Sequence, residues 1–326
     1  MDRSPLSAVC ADEAKPRGRW ETRMVKQRTR EQYIRWAKLF RRLSAIYLKL
    51  QSLGSRSNPL REERFIDTEF GRVRTLWYGF QGAEVAPVYF DLHGGGFVLG
   101  SADIDERMNM ELLRRVGCKI ISIDYAKAPE YPYPVAVNQV YAVVEHVFTH
   151  AERYGIDRKR MAIGGHSAGG NLSAVTCIRA KKEGRFQFVC QILDYPPLDL
   201  ATSPLDKPRP KGAIPPRMAL MFDVCYVVNP AQARDIYVSP VYATREDLEG
   251  LPPALIIVAG GDSLRDEGLK YCEMLKAAGV VTECYEYPNA PHGFTYQRSR
   301  DAMDAWGKMA AFLRKYLVEG EDSFSG

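Results

Sequence analysis

Blocks of apolar and polar positions along the chain predict a regular succession of strands and helices. Phe65–Phe70 and Val73–Tyr78 are short β-rich runs around Gly71, so we predict a hairpin there. After it, short apolar runs alternate with stretches of helical periodicity. The predicted strands are Pro87–Leu92, Lys119–Asp124, Arg160–Gly164, Phe188–Leu193, Pro253–Ala259 and Val281–Tyr287, and the predicted helices are Met108–Val116, Val137–His150, Gly170–Lys182, Leu264–Ala278 and Ala302–Leu317.

This order of elements predicts the α/β fold class. Strands that alternate with helices are joined by right-handed crossovers, which give a mostly parallel sheet with helices on both faces. Residues 196–216 interrupt the alternation with seven prolines and little periodicity, and Met218–Val228 then resumes a helical pattern. Because insertions over the strand ends of such sheets build substrate pockets, we expect this segment to contribute to one.

The first 64 residues differ in charge from the rest of the chain. They hold 16 Lys and Arg against 7 Asp and Glu, whereas the remainder holds 29 against 33. From Tyr33 to Leu50, apolar residues recur at steps of three and four, as on one face of an amphipathic helix. An anionic membrane or nucleic acid is one candidate partner. We favour a helix that docks its apolar face on the body, because no nucleic-acid motif accompanies the charge.

The composition excludes several classes of protein. With 326 residues, 46% apolar and 26% charged, the chain has the composition of a globular protein. Its longest strictly apolar run, Ala254–Ala259, is too short for a membrane span, and the first ten residues lack the apolar core of a signal peptide. Seven cysteines without a CxxC pair predict reduced thiols in a cytoplasmic protein.

Two glycine-rich motifs predict a serine nucleophile. Residues 165–169 read Gly-His-Ser-Ala-Gly between a predicted strand and a predicted helix, which is the context of a nucleophile elbow. A sharp turn that exposes Ser167 leaves no room for side chains at the flanking positions 165 and 169. Residues 93–96 read His-Gly-Gly-Gly after another predicted strand, and such a segment exposes backbone N–H groups to an oxyanion.

Elimination among five histidines selects the general base. His93 and His166 belong to the two motifs, and His146 and His150 share a helix with apolar neighbours. No glutamate follows His146 as a metalloprotease helix requires, so we expect no metal site. His292 remains, on a loop after the last predicted strand, and it has the right place in the chain order serine, acid, histidine.

Three carboxylates compete for the role of the orienting acid. Asp262 follows the strand Ala254–Ala259, so it lies at a carboxyl end of the sheet. Asp266 and Glu267 fall within the next helix, where acidic residues are favoured by the helix dipole alone. We therefore favour Asp262.

Five motifs together carry a resemblance to a known family. HGGGF, GHSAGG, Asp262–Glu267, Pro291–Phe294 and the stretch Tyr125–Glu130 resemble the hormone-sensitive-lipase-like (bacterial family IV) esterases of the α/β-hydrolase superfamily, over residues 65–317. The resemblance implies an α/β-hydrolase domain at 65–326, with a helical cap formed by residues 1–64 and an insertion at about 199–237.

The resemblance also assigns roles to single residues. It implies Ser167 as nucleophile, Asp262 as orienting acid and His292 as base, with the backbone N–H groups of Gly95, Gly96 and Ala168 as the oxyanion hole. The family usually has aspartate where this chain has His166, and proline where it has Ser263. Neither change removes a catalytic atom, so both bear on substrate preference.

The implied function is that of a serine carboxylesterase acting on short- to medium-chain acyl esters. We expect a small-molecule ester as the partner, no cofactor or metal, no nucleic acid, no membrane association, and a monomer or homodimer. An amidase or formamidase on the same triad is one alternative, and a membrane-associated lipase that uses the basic segment is another. A non-catalytic receptor is a third, since the plant gibberellin receptor resembles the family but lacks the catalytic histidine, which is present here. Candidates to line the pocket are Tyr125, Tyr131, Tyr133, Tyr195 and Tyr226.

Overall fold

The computed structural model of the protein describes residues 28–52 and 58–320, with the side chains of 45 and 47–52 excepted. The elements alternate as the apolar pattern predicts. In chain order they are α1 (Arg30–Ser52), β1 (Arg61–Thr68), β2 (Gly71–Tyr78), β3 (Ala86–Leu92), α2 (Glu106–Val116), β4 (Lys119–Asp124), α3 (Val135–Thr149), β5 (Ile156–His166), α4 (Ala168–Glu183), β6 (Cys190–Asp194), α5 (Pro216–Tyr226), α6 (Arg245–Leu248), β7 (Ala254–Ala259), α7 (Arg265–Ala277), β8 (Thr282–Tyr287) and α8 (Arg300–Leu313).

The strands form one eight-stranded sheet in the order β1-β2-β4-β3-β5-β6-β7-β8. The predicted hairpin is β1 and β2, and these strands and the β2–β4 pair are antiparallel. Every other neighbouring pair is parallel. The predicted fold class is therefore confirmed, with a mostly parallel sheet.

Helices cover both faces of this sheet, which explains why its central strands are apolar at successive positions. In β7, Ile256 packs into the same cluster as the apolar side chains of α3, α4 and α7. Its neighbours Leu255 and Ile257 point to the opposite face and join the cluster of α2 and α8. On α8, Met303 departs from the predicted packing because it is 64% exposed. With both faces covered, the carboxyl ends of the parallel strands meet at one open edge.

Helix α1 packs against α5 over this edge. Its buried face is centred on Tyr33 and Ala37, whereas Leu43 of the predicted apolar stripe is 56% exposed. The side chains of Tyr47 and Leu50 of that stripe, and residues 1–27 and 53–57 of the basic segment, lie outside what the structure describes. The domain boundary at residue 64 stays a prediction.

Two sequence expectations concern the environment of the protein. No helix in the described ranges is both long and apolar enough to cross a bilayer. Six of the seven cysteines lie in these ranges and carry free thiols. Cys10 lies outside them.

A buried ion pair anchors the proline-rich insertion to the body. Lys207 Nζ lies 2.6 Å from Glu267 Oε2 on α7 and also donates to the Asp199 carbonyl at 2.7 Å. Burial raises the pKa of Glu267 to about 7, with Lys207 opposing the shift, and burial raises the pKa of nearby Asp223 on α5 to about 7 as well. The positive charge of Lys207 therefore stabilises the ionised forms of two buried carboxyl groups, those of Glu267 and Asp223.

Replacing Lys207 by methionine should destabilise the fold in a pH-dependent way. We expect the free energy of unfolding to fall by roughly 3 kcal/mol at pH 8, because a buried carboxylate loses its partner. A raised carboxyl pKa costs stability as pH rises through it, so the loss should be much smaller at pH 5, where both carboxyls are protonated. Urea unfolding at the two pH values measures this, with exposed Lys211→Met as the control. An equal loss at both pH values would contradict the assignment.

Candidate active site

Ser167 occupies a strained turn between β5 and α4. Its φ is +51° and its ψ is −118°, a conformation that serine rarely adopts. The turn presses against β3: a Cβ on Gly169 would lie 1.8 Å from the Leu92 carbonyl oxygen, and one on Gly165 would lie 2.3 Å from the same atom. Glycine at both positions is thus required by space, as the sequence predicts.

Three predicted residues meet at the open edge of the sheet. His292, on the loop after β8, places Nε2 3.0 Å from Ser167 Oγ. Its Nδ1 lies 2.5 Å from Oδ2 of Asp262, which follows β7 and is buried. The His292 N–H donates to the carbonyl of Gly212 at 3.0 Å, so the insertion loop helps to hold the histidine. This series of contacts suits nucleophilic catalysis by a base-activated serine.

The competing residues lie elsewhere. Asp266 pairs with Arg265 at the exposed start of α7, and Glu267 is committed to Lys207. On α3, His146 contacts the hydroxyl of Tyr154 and His150 contacts the carbonyl of His146. None of these groups contacts Ser167 or His292.

The loop at residues 93–96 lies beside Ser167. Gly95 and Gly96 have φ values of +128° and +59°, and a Cβ on Gly96 would lie 2.3 Å from the ring of Phe222. Below them His93 is fully buried, and its ring stacks on Tyr125 at 4.3 Å. Tyr125 also donates its hydroxyl to the His93 carbonyl at 2.7 Å, which fixes the base of the loop.

The third predicted oxyanion donor directly follows the serine in the chain. Ala168 is the first residue of α4, so its N–H has no intrahelical acceptor. It lies at the positive end of the helix dipole, where a developing negative charge is stabilised.

A cavity of about 590 Å³ opens above these groups. Its wall is mostly apolar, and both α1 and the insertion with α5 contribute to it. Of the five tyrosines proposed from sequence, only Tyr195 is among its lining residues. Sequence reasoning missed Tyr296, although it follows His292 by four residues on the same loop. The lining consists of Leu43, Ser44, Gly94, Gly95, Gly96, Leu99, Gly100, Ile104, Ser167, Tyr195, Ile214, Met218, Phe222, His292, Gly293 and Tyr296.

His166 belongs to a buried charge cluster under the serine. Its Nδ1 lies 2.6 Å from Asp194 Oδ2. Burial opposes protonation, but Asp194, Asp105 and Asp91 together raise the pKa of His166 to about 9. Burial and the charge of Asp91 raise the pKa of Asp105 to about 8.

This cluster is also where a metal ion could bind. Ligand atoms of Asp91, Asp105 and His166 lie within 4.8 Å of one another, the one such group among the described residues. Hydrogen bonds already occupy part of this group: Asn109 and Ser122 donate to Asp91 Oδ2, and the Tyr296 hydroxyl donates to Asp105 Oδ1.

Comparison with known proteins places the chain among hydrolases. The model of a family described as having the alpha/beta hydrolase fold matches residues 89–296. The carboxylic ester hydrolase LipN of Mycobacterium tuberculosis is 36% identical over 264 residues, which cover 76% of this chain and 68% of that protein. An arylesterase of Saccharolobus solfataricus is 31% identical over 62% of this chain and 66% of its own length. The matches thus span about two thirds of these relatives.

Solved structures match a larger share of the chain than these two relatives do. A thermostable esterase from Pseudomonas putida superimposes with a TM-score of 0.77 at 29% identity, covering 89% of this chain and 92% of that one. A hyperthermophilic esterase from Pyrobaculum calidifontis gives 0.73 at 30% identity, covering 88% and 92%.

The close contact under the elbow predicts the outcome of a single-methyl substitution. Gly169→Ala should abolish soluble folded protein, because the new Cβ would overlap the Leu92 carbonyl in a rigid strand. Gly307→Ala on α8 is the control, since its Cβ meets nothing within 4 Å and should stabilise the helix by about 0.5–1 kcal/mol. Thermal unfolding followed by circular dichroism measures both. A Gly169→Ala protein with an unchanged melting temperature would contradict the described elbow.

Proposed function

The chain belongs to the α/β-hydrolase family, in its hormone-sensitive-lipase-like branch, and we propose that it is a serine carboxylesterase acting on short- to medium-chain acyl esters. One observation carries the proposal: Ser167, His292 and Asp262 form a hydrogen-bonded series of 3.0 Å and 2.5 Å at an apolar cavity. Relatives that are named esterases support the reaction class.

The reaction begins with attack of Ser167 Oγ on the ester carbonyl carbon. His292 Nε2, 3.0 Å away, takes the hydroxyl proton as the new C–O bond forms. Asp262 accepts the hydrogen bond from Nδ1, which keeps the imidazole in the tautomer that presents a free Nε2. The charged imidazole that results is stabilised by the same carboxylate.

The carbonyl oxygen becomes an oxyanion in the tetrahedral intermediate. In this proposal the N–H groups of Gly95, Gly96 and Ala168 donate to this oxyanion, and each would lower the barrier by about 3 kcal/mol by analogy with single-donor deletions. The intermediate collapses as the C–O bond to the alcohol breaks and His292 returns the proton to that alcohol. Water, deprotonated by His292, then attacks the acyl carbon of the acyl-enzyme. As the C–Oγ bond breaks, His292 returns the proton to Ser167 Oγ and the acid is released.

The cavity indicates which acyl or alcohol groups of an ester substrate are favoured. Its volume is in the range of small-molecule pockets, and its wall offers methyl, thioether and phenyl groups. Each methylene buried there contributes about 0.8 kcal/mol to binding, so an apolar chain is favoured over a charged one. Helix α1 supplies Leu43, and the insertion supplies Ile214, Met218 and Phe222. We therefore assign a cap to these two parts, residues 1–64 and about 199–237, over a catalytic domain at 65–326.

The partner follows from the same site. A small-molecule ester fits the cavity, and the triad needs neither metal nor cofactor to act on it. Amide or formamide cleavage would use the same residues, so the choice between them is made by the experiment below.

Hydrolysis of p-nitrophenyl esters from C2 to C16 tests the proposal. We expect turnover concentrated at C2 to C8, the short- to medium-chain range of the proposal, and a loss of at least about 10³-fold in Ser167→Ala, because the nucleophile is removed. Circular dichroism confirms that the variant is folded. Turnover that persists in Ser167→Ala would refute the nucleophile, and a wild type that cleaves anilides or formamides but no ester would favour the amidase.

Two neighbouring aspartates allow a matched test of the acid. Asp262→Asn should lower kcat by about 10³- to 10⁴-fold, because the amide stabilises the wrong tautomer of His292. Asp266→Asn should leave kcat within about twofold, because Asp266 is exposed and bonded to Arg265. Steady-state kinetics on the best ester compares them. The reverse order would transfer the role of the acid to Asp266.

A further inference from the structure

Behind the triad lies a buried hydrogen-bond network that the proposed mechanism does not use. Its centre is Asp194, the last residue of β6, which is completely buried. Oδ2 of Asp194 accepts from His166 Nδ1 at 2.6 Å and from the Thr295 hydroxyl at 2.7 Å. One donor directly precedes Ser167, and the other follows His292 by three residues. A single carboxylate therefore joins the turn of the nucleophile to the loop of the base.

Neighbouring contacts reinforce both connections. The N–H of Ser167 donates to the backbone carbonyl of Asp194 at 2.8 Å. The Thr295 hydroxyl has given its hydrogen to Asp194, so it accepts from the hydroxyl of Tyr195 at 2.7 Å. The ring of Tyr195 stands edge-on to the imidazole of His292, with centroids 5.0 Å apart and planes at 64°. Residues 194 and 195 thus contact the backbone of Ser167 and the imidazole of His292.

The sheet order explains why such a connection is needed. Ser167 follows β5 and His292 follows β8, and these strands are separated in the sheet by β6 and β7. No backbone ladder between neighbouring strands sets the distance from the serine to the histidine. Asp194 projects from the end of an intervening strand and reaches both loops.

We infer that Asp194 and Thr295 are positioning residues of the ester hydrolysis proposed above, which hold Ser167 Oγ and His292 Nε2 within hydrogen-bonding distance. The inference rests on the proposed function. Its physical basis is the steep dependence of rate on geometry, since a misplacement of about 1 Å costs about 10²-fold. Both side chains are fully buried, and neither is among the residues that line the cavity, so they act through the residues that they hold.

The surroundings of His166 reinforce the connection. His166 contacts Asp194 on β6 and lies close to Asp91 on β3 and Asp105 before α2. The Tyr296 hydroxyl donates to Asp105 at 2.7 Å, which gives the loop of the base a second attachment to the same cluster.

Three threonine variants test the inference. Thr295→Val keeps the shape and removes the hydroxyl, so kcat should fall by about 10²-fold while KM changes by less than about threefold. Thr295→Ser restores a hydroxyl and should recover most of kcat. Thr176→Val is the matched control: Thr176 is equally buried, but its hydroxyl donates to the Leu172 carbonyl within α4. Its kcat should stay within about twofold of wild type.

All kinetics are measured well below the melting temperature of each variant. Equal kcat in wild type and Thr295→Val overturns the inference and leaves ester hydrolysis in place. A fall in Thr176→Val as large as that in Thr295→Val also overturns it, because the loss would then follow from general destabilisation.

If Thr295→Val fails to fold, Asp194→Asn takes its place, since it keeps the shape and weakens both bonds. Its kcat should fall with an unchanged KM, and an unchanged kcat overturns the inference. A wild type that hydrolyses no ester refutes the proposed function instead.

Discussion

The contact between the nucleophile turn and strand β3 is the constraint on which the site depends. Gly165 and Gly169 let the backbone of the turn approach the Leu92 carbonyl so closely that any side chain would overlap it. This approach forces Ser167 into a positive φ. The serine then lies at the open edge of the sheet, with the start of α4 behind it. The backbone strain at Ser167 is tolerated because the surrounding strands are buried on both faces and cannot easily shift.

Much of this arrangement can be predicted from the sequence, and the reasons are physical. Alternating apolar runs and helical stretches give the order of elements because each strand must be covered on both faces. The glycines at 165 and 169 predict the sharp turn because such a turn excludes side chains at these positions. Asp262 is separable from Asp266 and Glu267 because only Asp262 directly follows a strand. In the structure the other two carboxylates form ion pairs instead, Asp266 with Arg265 and Glu267 with Lys207.

Other features depend on contacts between distant parts of the chain. The register of α1 is not set by its own periodicity, since Tyr33 and Ala37 are buried while Leu43 is largely exposed. The role of His166 is equally hidden, because Asp194 and Asp105 are remote from it in sequence. Pocket residues such as Tyr296 and Phe222 show no local signal, since aromatic residues at these positions fit a core equally well. Polar and aromatic side chains acquire their roles only after folding brings their partners together.

The hydrogen bond from His292 N–H to the Gly212 carbonyl has a consequence for how relatives of this protein can diverge. The insertion carries residues of the pocket wall, and drift in its sequence would tune substrate choice. At Gly212 the same segment supports the base, and a Cβ there would lie 2.7 Å from Pro291. Selection acting on specificity is therefore constrained at Gly212, as it is at the buried Lys207–Glu267 pair, and freer elsewhere along the insertion. New substrate ranges can evolve in the cap without retuning the catalytic histidine, provided that Gly212 is inherited unchanged.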